Sequence, residues 1–570
     1  MTARDKINWY KALLSQRAQW EGTWDRIARL TLPRKSGLQF SGRTPGARVE
    51  TQYTSTAIRA NELLAASIGG SLTSSVMRWF ALANGLPMLK DNKQVAQWYE
   101  TFSERLYQNL VRSNFHQEVQ EVYLDLGAFG TGCLLMNERK SRGPLFGGFQ
   151  FQSQEIGTYV IAEDGEGHVE VVGRILKMSA RAAAKRWTPA KVGKRINALL
   201  ADPEQSEQMV DILHIVYPRE GVAGYKKATR ASRLPVASCY IDMEEQHEIE
   251  ESGFHEMPIF VPRWSKVSGE TWGRGPGFTA LGDTSTMDEA TKLNLQAWAF
   301  AIRPPLLRRH DGVVGTPKVV PGGYIDVYDM EALKPLESGQ DVQVNQIERE
   351  ALQSDVRNAF YWEQLQLPNQ QIYTATEINR RLELMQRVLG PTLGRLDVEL
   401  HQKVILRGAA MMLRAGERSA WQDPMGAPEP PAEILEALAQ GVADVDIQYL
   451  GPLARAQKTA DVDSLNAAVA SATPVLQAQP DAATVLNGEA IVRFIFERHG
   501  LPTNLTRSKD EVKQISDAMA QKRADEEQQQ KLLAMSQVAK NAAPAMQGAS
   551  AQLSPEQQEQ AMAQGAGMGM

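Results

Sequence analysis

Two stretches with the period of an amphipathic helix flank one stretch that cannot be helical, and no other feature limits the folds open to this chain so much. Thr286 with Glu289 has the spacing of a capping box, after which Met287, Ala290, Leu293, Ala297 and Ala301 recur every three or four residues. The stripe stops at Arg303-Pro304-Pro305, because the residue before a proline is driven out of helical geometry. Pro304–Ser338 is rich in proline and glycine, with strand-like pieces at Lys318–Val320 and Tyr324–Val327. A second stripe, Val344, Ile347, Ala351, Leu352, Val356 and Phe360, predicts a helix from about Val342 to Gln364. Two helices of similar length thus bracket a small β-containing excursion. Their apolar stripes are too long for a two-helix pair to cover, so further copies of the chain are expected to complete the packing.

The flanks predict an α+β chain that is mainly helical. Its 570 residues imply several domains, since single cores stop growing at roughly 250–300 residues. Leu13, Trp20, Trp24, Ile27 and Leu30 mark a first helix that ends in the break Pro33–Pro45. Helices follow at Thr56–Leu72 and Gln94–Leu110, the latter with Val95, Trp98, Phe102, Leu106 and Leu110 on one face. Glycines cluster from Gly127, and residues 145–264 read as a β-rich insert. Tyr159–Ile161 and Val169–Val172 flank Glu163-Asp-Gly-Glu-Gly167 as a hairpin, and Val210–Tyr217, Val236–Met243 and Ile259–Trp264 read as further strands. After the uncharged loop Leu365–Tyr373, Thr374-Ala-Thr-Glu377 gives another capping box and a stripe of Ile378, Leu382, Met385, Leu389, Leu393, Leu396 and Leu400. Gly390-Pro391 lies inside this stripe and is expected to kink the helix as a hinge. Pro424–Pro431 reads as a linker before short helices. From Gln521 the chain is rich in Gln, Ala, Gly and Met with almost no aromatic residue, a composition that predicts disorder over roughly the last thirty residues.

A search for chemistry finds no enzyme. No G-x-x-x-x-G-K-[ST] string is present to wrap phosphates, and no G-x-S-x-G elbow. Gly127, Gly130 and Gly132 fit a helix-to-strand corner; Gly273-Arg-Gly-Pro-Gly277 could cradle a phosphate, though such glycines before a helix more often make a turn. His214, His247, His255, His310, His401 and His499 are scattered without the spacing of a zinc site. Glu244, Glu245, Glu248, Glu250 and Glu251 around His247 form an acidic run that reads as a solvated hairpin rather than a metal site. Cys133 and Cys239 lie in apolar, strand-like segments, and two cysteines in so long a chain fit a reducing compartment. No cofactor and no metal are expected. The start lacks the apolar core of a signal peptide and no apolar run approaches about 18 residues, so no membrane role is expected. The formal charge of −5, from 62 Lys+Arg against 67 Asp+Glu, argues against a wholesale basic nucleic-acid binder.

Four strings in chain order carry a family resemblance. They are Ala60-Asn61 with Leu63–Leu72 and Arg78-Trp79-Phe80; Phe260-Val-Pro-Arg-Trp264 with Gly269–Gly277 and Ala280-Leu-Gly-Asp283; Thr374–Glu377 with Arg380, Glu383 and Leu389-Gly-Pro391; and Val445-Asp-Ile-Gln-Tyr-Leu-Gly-Pro-Leu-Ala-Arg-Ala-Gln457. Together they span most of residues 5–515, and the chain resembles the portal proteins, or head-to-tail connectors, of short-tailed, T7-like bacteriophages.

The resemblance implies a portal fold: an α/β wing (1–268, helical over 1–140), a first stem helix (269–303), a clip (304–338) and a second stem helix (339–364). A channel loop (365–373), a kinked wing helix (374–416), a helical crown (417–515) and a largely disordered tail (516–570) would follow. It implies a dodecameric ring at one capsid vertex of the virion, assembled in the host cytoplasm. Its partners would be double-stranded DNA read without sequence, the terminase packaging motor, tail adaptor and tail tube proteins, and major capsid, scaffolding and internal core proteins. Gln366, Asn369, Gln370 and Gln371 would line the channel. Arg303, Arg308, Arg309, His310 and Lys318 would concentrate charge at the clip, for DNA, a neighbour's carboxylates, or the motor and adaptor. Residues 337–364 carry six acids (Glu337, Asp341, Glu348, Glu350, Asp355, Glu363) against Arg349 and Arg357. An internal scaffolding or core protein, or a phage nuclease, is the alternative reading.

Overall fold

The computed structural model describes residues 1–36, 52–86, 89, 92–139, 145–219, 234–302, 306–308, 333–335, 342–365, 389–440, 445–451, 461–462, 464–474, 487–498 and 509–550. The chain divides into two compact units, Met1–Lys90 with Gln94–Gly500, and the smaller Leu501–Met570 with Asp91–Lys93.

In the larger unit, α1 (Ala3–Thr31) opens on a capping box: the Asp5 N–H donates to the Thr2 hydroxyl at 3.3 Å and the Thr2 N–H to the Asp5 carboxylate at 2.8 Å. α2 (Thr56–Leu72), α3 (Lys93–Arg112) and α4 (Phe115–Phe129) follow, and bury Leu64, Ile68, Phe102, Leu106, Phe115 and Val122 in the main core. β1 (Phe80–Asn84) lies between α2 and α3, and β2 (Leu134–Glu138) follows α4. β3 (Phe149–Ser153) pairs with β2. The hairpin expected around residues 163–167 is present as β4 (Tyr159–Glu163) and β5 (Val169–Ser179). With β6 (Met209–Pro218), β7 (Val236–Asp242) and β8 (Glu248–Phe254) it forms a five-stranded antiparallel sheet in chain order.

Alternation assigns the two faces of this sheet. Leu213, Ile215, Cys239 and Ile241 pack on Ile7, Tyr10 and Leu13 of α1. Val210 and Ile212 pack on α5 (Ala180–Trp187) and α6 (Gly193–Ala201) through Ala183, Trp187 and Ile196. The region 145–264 is therefore sheet with two short helices added, the first N-capped by the Ser179 hydroxyl.

β9 (Ile259–Phe260) completes the small sheet with β2, and α7 (Pro276–Thr279) leads into α8 (Leu281–Ile302). Here the structure corrects the capping-box expectation. The helix starts five residues before Thr286, whose hydroxyl donates back to the Gly282 carbonyl at 3.0 Å, because the α7 turn already supplies the start. β10 (Leu306–Arg308) pairs antiparallel with β11 (Leu333–Pro335), so the bracketed excursion contains a two-stranded sheet; Lys318–Val320 and Tyr324–Val327 lie outside the described residues. α9 (Val342–Ala359) and α10 (Trp362–Leu365) follow.

The chain is helical again over 389–396, widens into a π turn at Asp397–His401 and continues as α11 (Gln402–Arg418). α12 (Ala432–Gln440), β12 (Val445–Tyr449) and α13 (Gly488–Arg498) complete the larger unit. β12 places a strand inside 417–515, the stretch that the resemblance gives to a helical crown: Val445, Ile447 and Tyr449 alternate with period two against the main core while the strand pairs with β1. In the smaller unit, α14 (Lys509–Ser550) is one 42-residue helix that runs into the start of the roughly thirty last residues whose composition predicts disorder; residues 551–570 lie outside the described residues. Its Ala, Gln, Lys, Glu and Met are strong helix formers, and the missing apolar stripe shows as a helix exposed along most of 511–537.

α4 ends at Gly130, whose φ of 74° is the left-handed C-cap that glycine favours. A Cβ on Gly275 would stand 2.8 Å from the Gly130 nitrogen, so backbone meets backbone at this corner. Gly275→Ala is expected to lower unfolding stability by about 2 kcal/mol or more, read by urea denaturation, whereas Gly22→Ala, in open space on α1, should raise it by about 0.5–1 kcal/mol.

Candidate functional site

The segment that leads into α8 departs from a corner built by backbone packing against the end of α4. The Trp264 N–H donates to the Gly130 carbonyl at 2.9 Å, the Gly132 N–H to Pro262 at 3.0 Å, and the Gly273 N–H to the Thr131 hydroxyl at 2.8 Å. Gly273, Gly275 and Gly277 lie against the backbones of Gly130, Leu126 and Ala128. Their chain is thus already covered where a phosphate would have to approach, and the string makes a turn into α7 and α8.

Arg263, 1% exposed, sits immediately before this corner. Its backbone N–H donates to Glu399 Oε2 at 2.8 Å, and its Nη2 donates to Glu399 Oε1 at 2.8 Å and to the Gly167 carbonyl at 2.9 Å. Its Nη1 donates to Glu163, which also pairs with Lys266 at 2.7 Å. Two cations thus meet two carboxylates in a nearly dry site, the condition under which buried charge is tolerated. Glu399 belongs to the π turn through which the chain returns. His401 of the same turn is buried, its Nδ1 2.7 Å from Asp397 and its Nε2 2.9 Å from the Tyr123 hydroxyl, which meets Thr73 at 3.1 Å. Burial pushes the Tyr123 phenol up from its ordinary range. The departing and returning segments are therefore joined by one ion pair, and the returning segment is tied to α4 by one hydrogen-bond chain.

Beyond this root, α8 changes character. Thr284, Met287 and Thr291 are buried, and Asp288 accepts the N–H groups of Tyr53 and Thr54 at 2.8 and 3.1 Å. The ten residues 293–302 carry no charge. Leu293, Leu295, Trp298 and Ile302 are all exposed, Trp298 by 49% and Ile302 by 79%. Leu293 and Leu295 lie roughly 200° apart around the helix, so α9 cannot cover both. Val356 of α9 and Phe360 just after it face the core, while Arg349, Glu350, Asp355 and Arg357 are exposed.

Arg308 stands on β10 in register with Leu333, and Gly390 and Pro391 lie in the helical turns 389–396. Arg303, Arg309, His310, Lys318, Gln366, Asn369, Gln370 and Gln371 lie outside the described residues, as does the helix before residue 389. The acidic run around His247 is used as counter-charge: Glu244 pairs with Arg195, Glu248 with Lys6, Glu250 with Lys191 and Glu251 with Arg219, while Glu245 accepts the Lys194 and Arg195 backbone N–H groups. Asp164, Glu166 and His168 gather at the exposed β4–β5 tip, where Asp164 accepts the Glu166 and His168 N–H groups and closes the turn. Arg263 falls inside one of the strings quoted for the family resemblance; Glu399 had no sequence signal, being an acid among apolar helix residues.

Residues 4–506 match the model of the family described as bacteriophage head to tail connecting protein. The chain belongs to this family. It is 26% identical over 481 residues to a probable portal protein of Bordetella phage BPP-1, covering 82% of each chain, and 25% identical over 547 residues to the portal protein of Salmonella phage epsilon15, covering 92% of each. A chain from the virion of a native gene transfer agent particle aligns at 12% identity and a TM-score of 0.31, over 77% of this chain and 89% of that one. As a connecting protein the chain is a virion component joining capsid to tail. Among the described residues no helix is long and apolar enough to cross a membrane.

Two outcomes follow from the root of the excursion. Arg263→Met or Glu399→Gln alone should cost about 3–5 kcal/mol in urea denaturation because each strands a buried partner, while the double variant Arg263→Met with Glu399→Met should cost less than the sum. Near the same corner, burial pushes the Asp125 carboxyl from 3.8 up to about 6, although Lys35 stands 2.5 Å away. The folded state therefore holds this proton more tightly than the unfolded chain. Its contribution is complete below pH 3.8 and is lost as pH rises through about 6. Asp125→Asn should flatten that part of the curve of urea midpoint against pH.

Proposed function

We propose that the chain is the portal subunit of a phage, forming a ring at one capsid vertex through which DNA is packaged, retained and released. The observation that carries the reading is the excursion itself. Two helices bracket a small two-stranded sheet, and the distal end of α8 shows apolar side chains on opposite sides. A helix apolar all round is a helix meant for burial, and in a ring the neighbouring copies supply the cover. Family membership and the two phage relatives support the same reading.

In this reading 304–338 is the clip between stem helices, and Arg303, Arg308, Arg309, His310 and Lys318 meet the packaging motor, the tail adaptor or a neighbour's carboxylates. The ring is a dodecamer, its outer partners are capsid, scaffolding, core and tail proteins, and duplex DNA passes without sequence preference. Residues 365–373 carry no charged side chain, so a channel lined by Gln366, Asn369, Gln370 and Gln371 lacks the counterion-release affinity that would stall DNA. No catalytic group is called upon.

Leu295→Asp with Trp298→Asp should leave the monomer folded and prevent rings, seen by light scattering and negative-stain images; rings in normal yield would contradict the stem interface. Gln370→Lys with Gln371→Lys should leave rings intact and slow packaging, most at low salt where the screening length is greatest. Unaltered DNA filling of mutant procapsids would place the loop away from DNA.

A further inference from the structure

We propose that the outer edge of β12 is an interface between copies of this chain: in the ring, an extended segment of the neighbouring subunit adds to it as a third strand. The inference rests on the ring reading above. β1 and β12 form a sheet of only two strands, and two strands alone are marginal in water.

The phase of the ladder tells which backbone groups are left over. The Leu450 N–H donates to the Trp79 carbonyl at 2.7 Å, so Gln448 and Asp446 bond across to Ala81 and Ala83. Bonding sides alternate along a strand, so the N–H and C=O groups of Val445, Ile447 and Tyr449 point away from β1. The same alternation turns Leu82 outward on the far side of β1, and its N–H there donates to the Ser103 hydroxyl of α3 at 2.8 Å. One edge of the pair is thus closed by a side chain. On the other edge, no group among the described residues bonds to the backbone of Val445, Ile447 or Tyr449.

Elsewhere the fold defends such edges. The Asn114 amide accepts the Phe151 N–H at 2.9 Å and donates to the Phe151 carbonyl at 2.8 Å, which caps β3 as a strand would. β8 carries Glu248, Glu250 and Glu251, and Arg219 donates to its Ser252 carbonyl at 2.9 Å. β12, Val-Asp-Ile-Gln-Tyr, has no Lys, Pro, Gly or bulge, and its Val, Ile and Tyr favour strand pairing. A row of free backbone donors and acceptors selects one kind of partner, an extended backbone. Val445, Ile447 and Tyr449 are half-buried against the main core, so a strand laid beside them also extends their cover. Two copies joined β12 to β12 would make a closed two-fold pair. Head-to-tail addition, repeated identically, closes a ring and leaves no open edge.

Ile447→Pro tests this, because it removes an outward N–H and leaves the ladder to β1 intact, a change that an edge strand tolerates. The full-length variant should keep the far-UV circular dichroism and urea midpoint of the unmodified chain and give at least about tenfold fewer rings in negative-stain images. Ile447→Val should form rings normally. In the unmodified protein, residue-resolved hydrogen exchange by mass spectrometry should show the Ile447 amide at least about tenfold slower in rings than in subunits dissociated by dilution. This comparison decides the matter if the proline variant does not fold. Rings in normal yield from Ile447→Pro, or an Ile447 amide as fast in rings as in dissociated subunits, would overturn the inference and leave the ring reading standing. Dimers or monomers in place of rings from the unmodified protein would overturn both.

Discussion

The buried pair between Arg263 and Glu399 is the constraint on which the rest of the fold depends. Desolvating a guanidinium is expensive, and the cost is offset here only because two carboxylates and a backbone carbonyl converge on one side chain. Arg263 precedes the corner where the chain departs into α8, and Glu399 lies where it comes back. The pair joins these two segments directly, and the His401–Tyr123 bond beside it fixes the returning segment to α4 as well.

The glycines at the same corner serve that anchorage. With Gly273, Gly275 and Gly277 against Gly130, Leu126 and Ala128, the backbone of the departing chain lies directly on the end of α4. No side chain separates them, so the corner has no rotamers to rearrange and little freedom to tilt. The departing segment is thus fixed by backbone contact, and the returning segment by the buried Glu399 and His401 of the π turn.

Much of this was legible in the sequence, and the rest was hidden for physical reasons. Helices with a one-sided stripe, such as α3 with Trp98, Phe102 and Leu106, announce themselves because burial and period coincide. The β4–β5 hairpin is visible because an Asp-Gly turn separates β-branched runs. β12 was not visible, because a five-residue strand pairs with β1 from far along the chain and local pattern does not record its partner. The start of α8 was misplaced because a capping-box spacing is also an ordinary interior spacing once a preceding turn supplies the cap. α14 follows intrinsic helix propensity, which an expectation built on burial does not weigh. The π turn has no sequence signature at all, since its cause is tertiary.

Net charge alone is a poor guide to how such a chain treats DNA; what matters is how many cations remain available to phosphates. Among the described residues several arginines are spent internally. Arg17 donates to the Tyr159 carbonyl at 2.7 Å, Arg174 to Gln154 and His214 at 2.5 and 3.1 Å, and Arg407 to Glu256 at 3.1 Å, and each of the three is at most 5% exposed. With Arg263 they bind strands to helices and offer nothing to a polyanion. The acidic run of β8 consumes Lys6, Lys191 and Arg219 in the same way. A duplex beside such surfaces meets paired charges and amides, and each phosphate left unneutralised keeps its counterions. These buried cations are therefore structural: they fix the sheet, the corner and the returning helix.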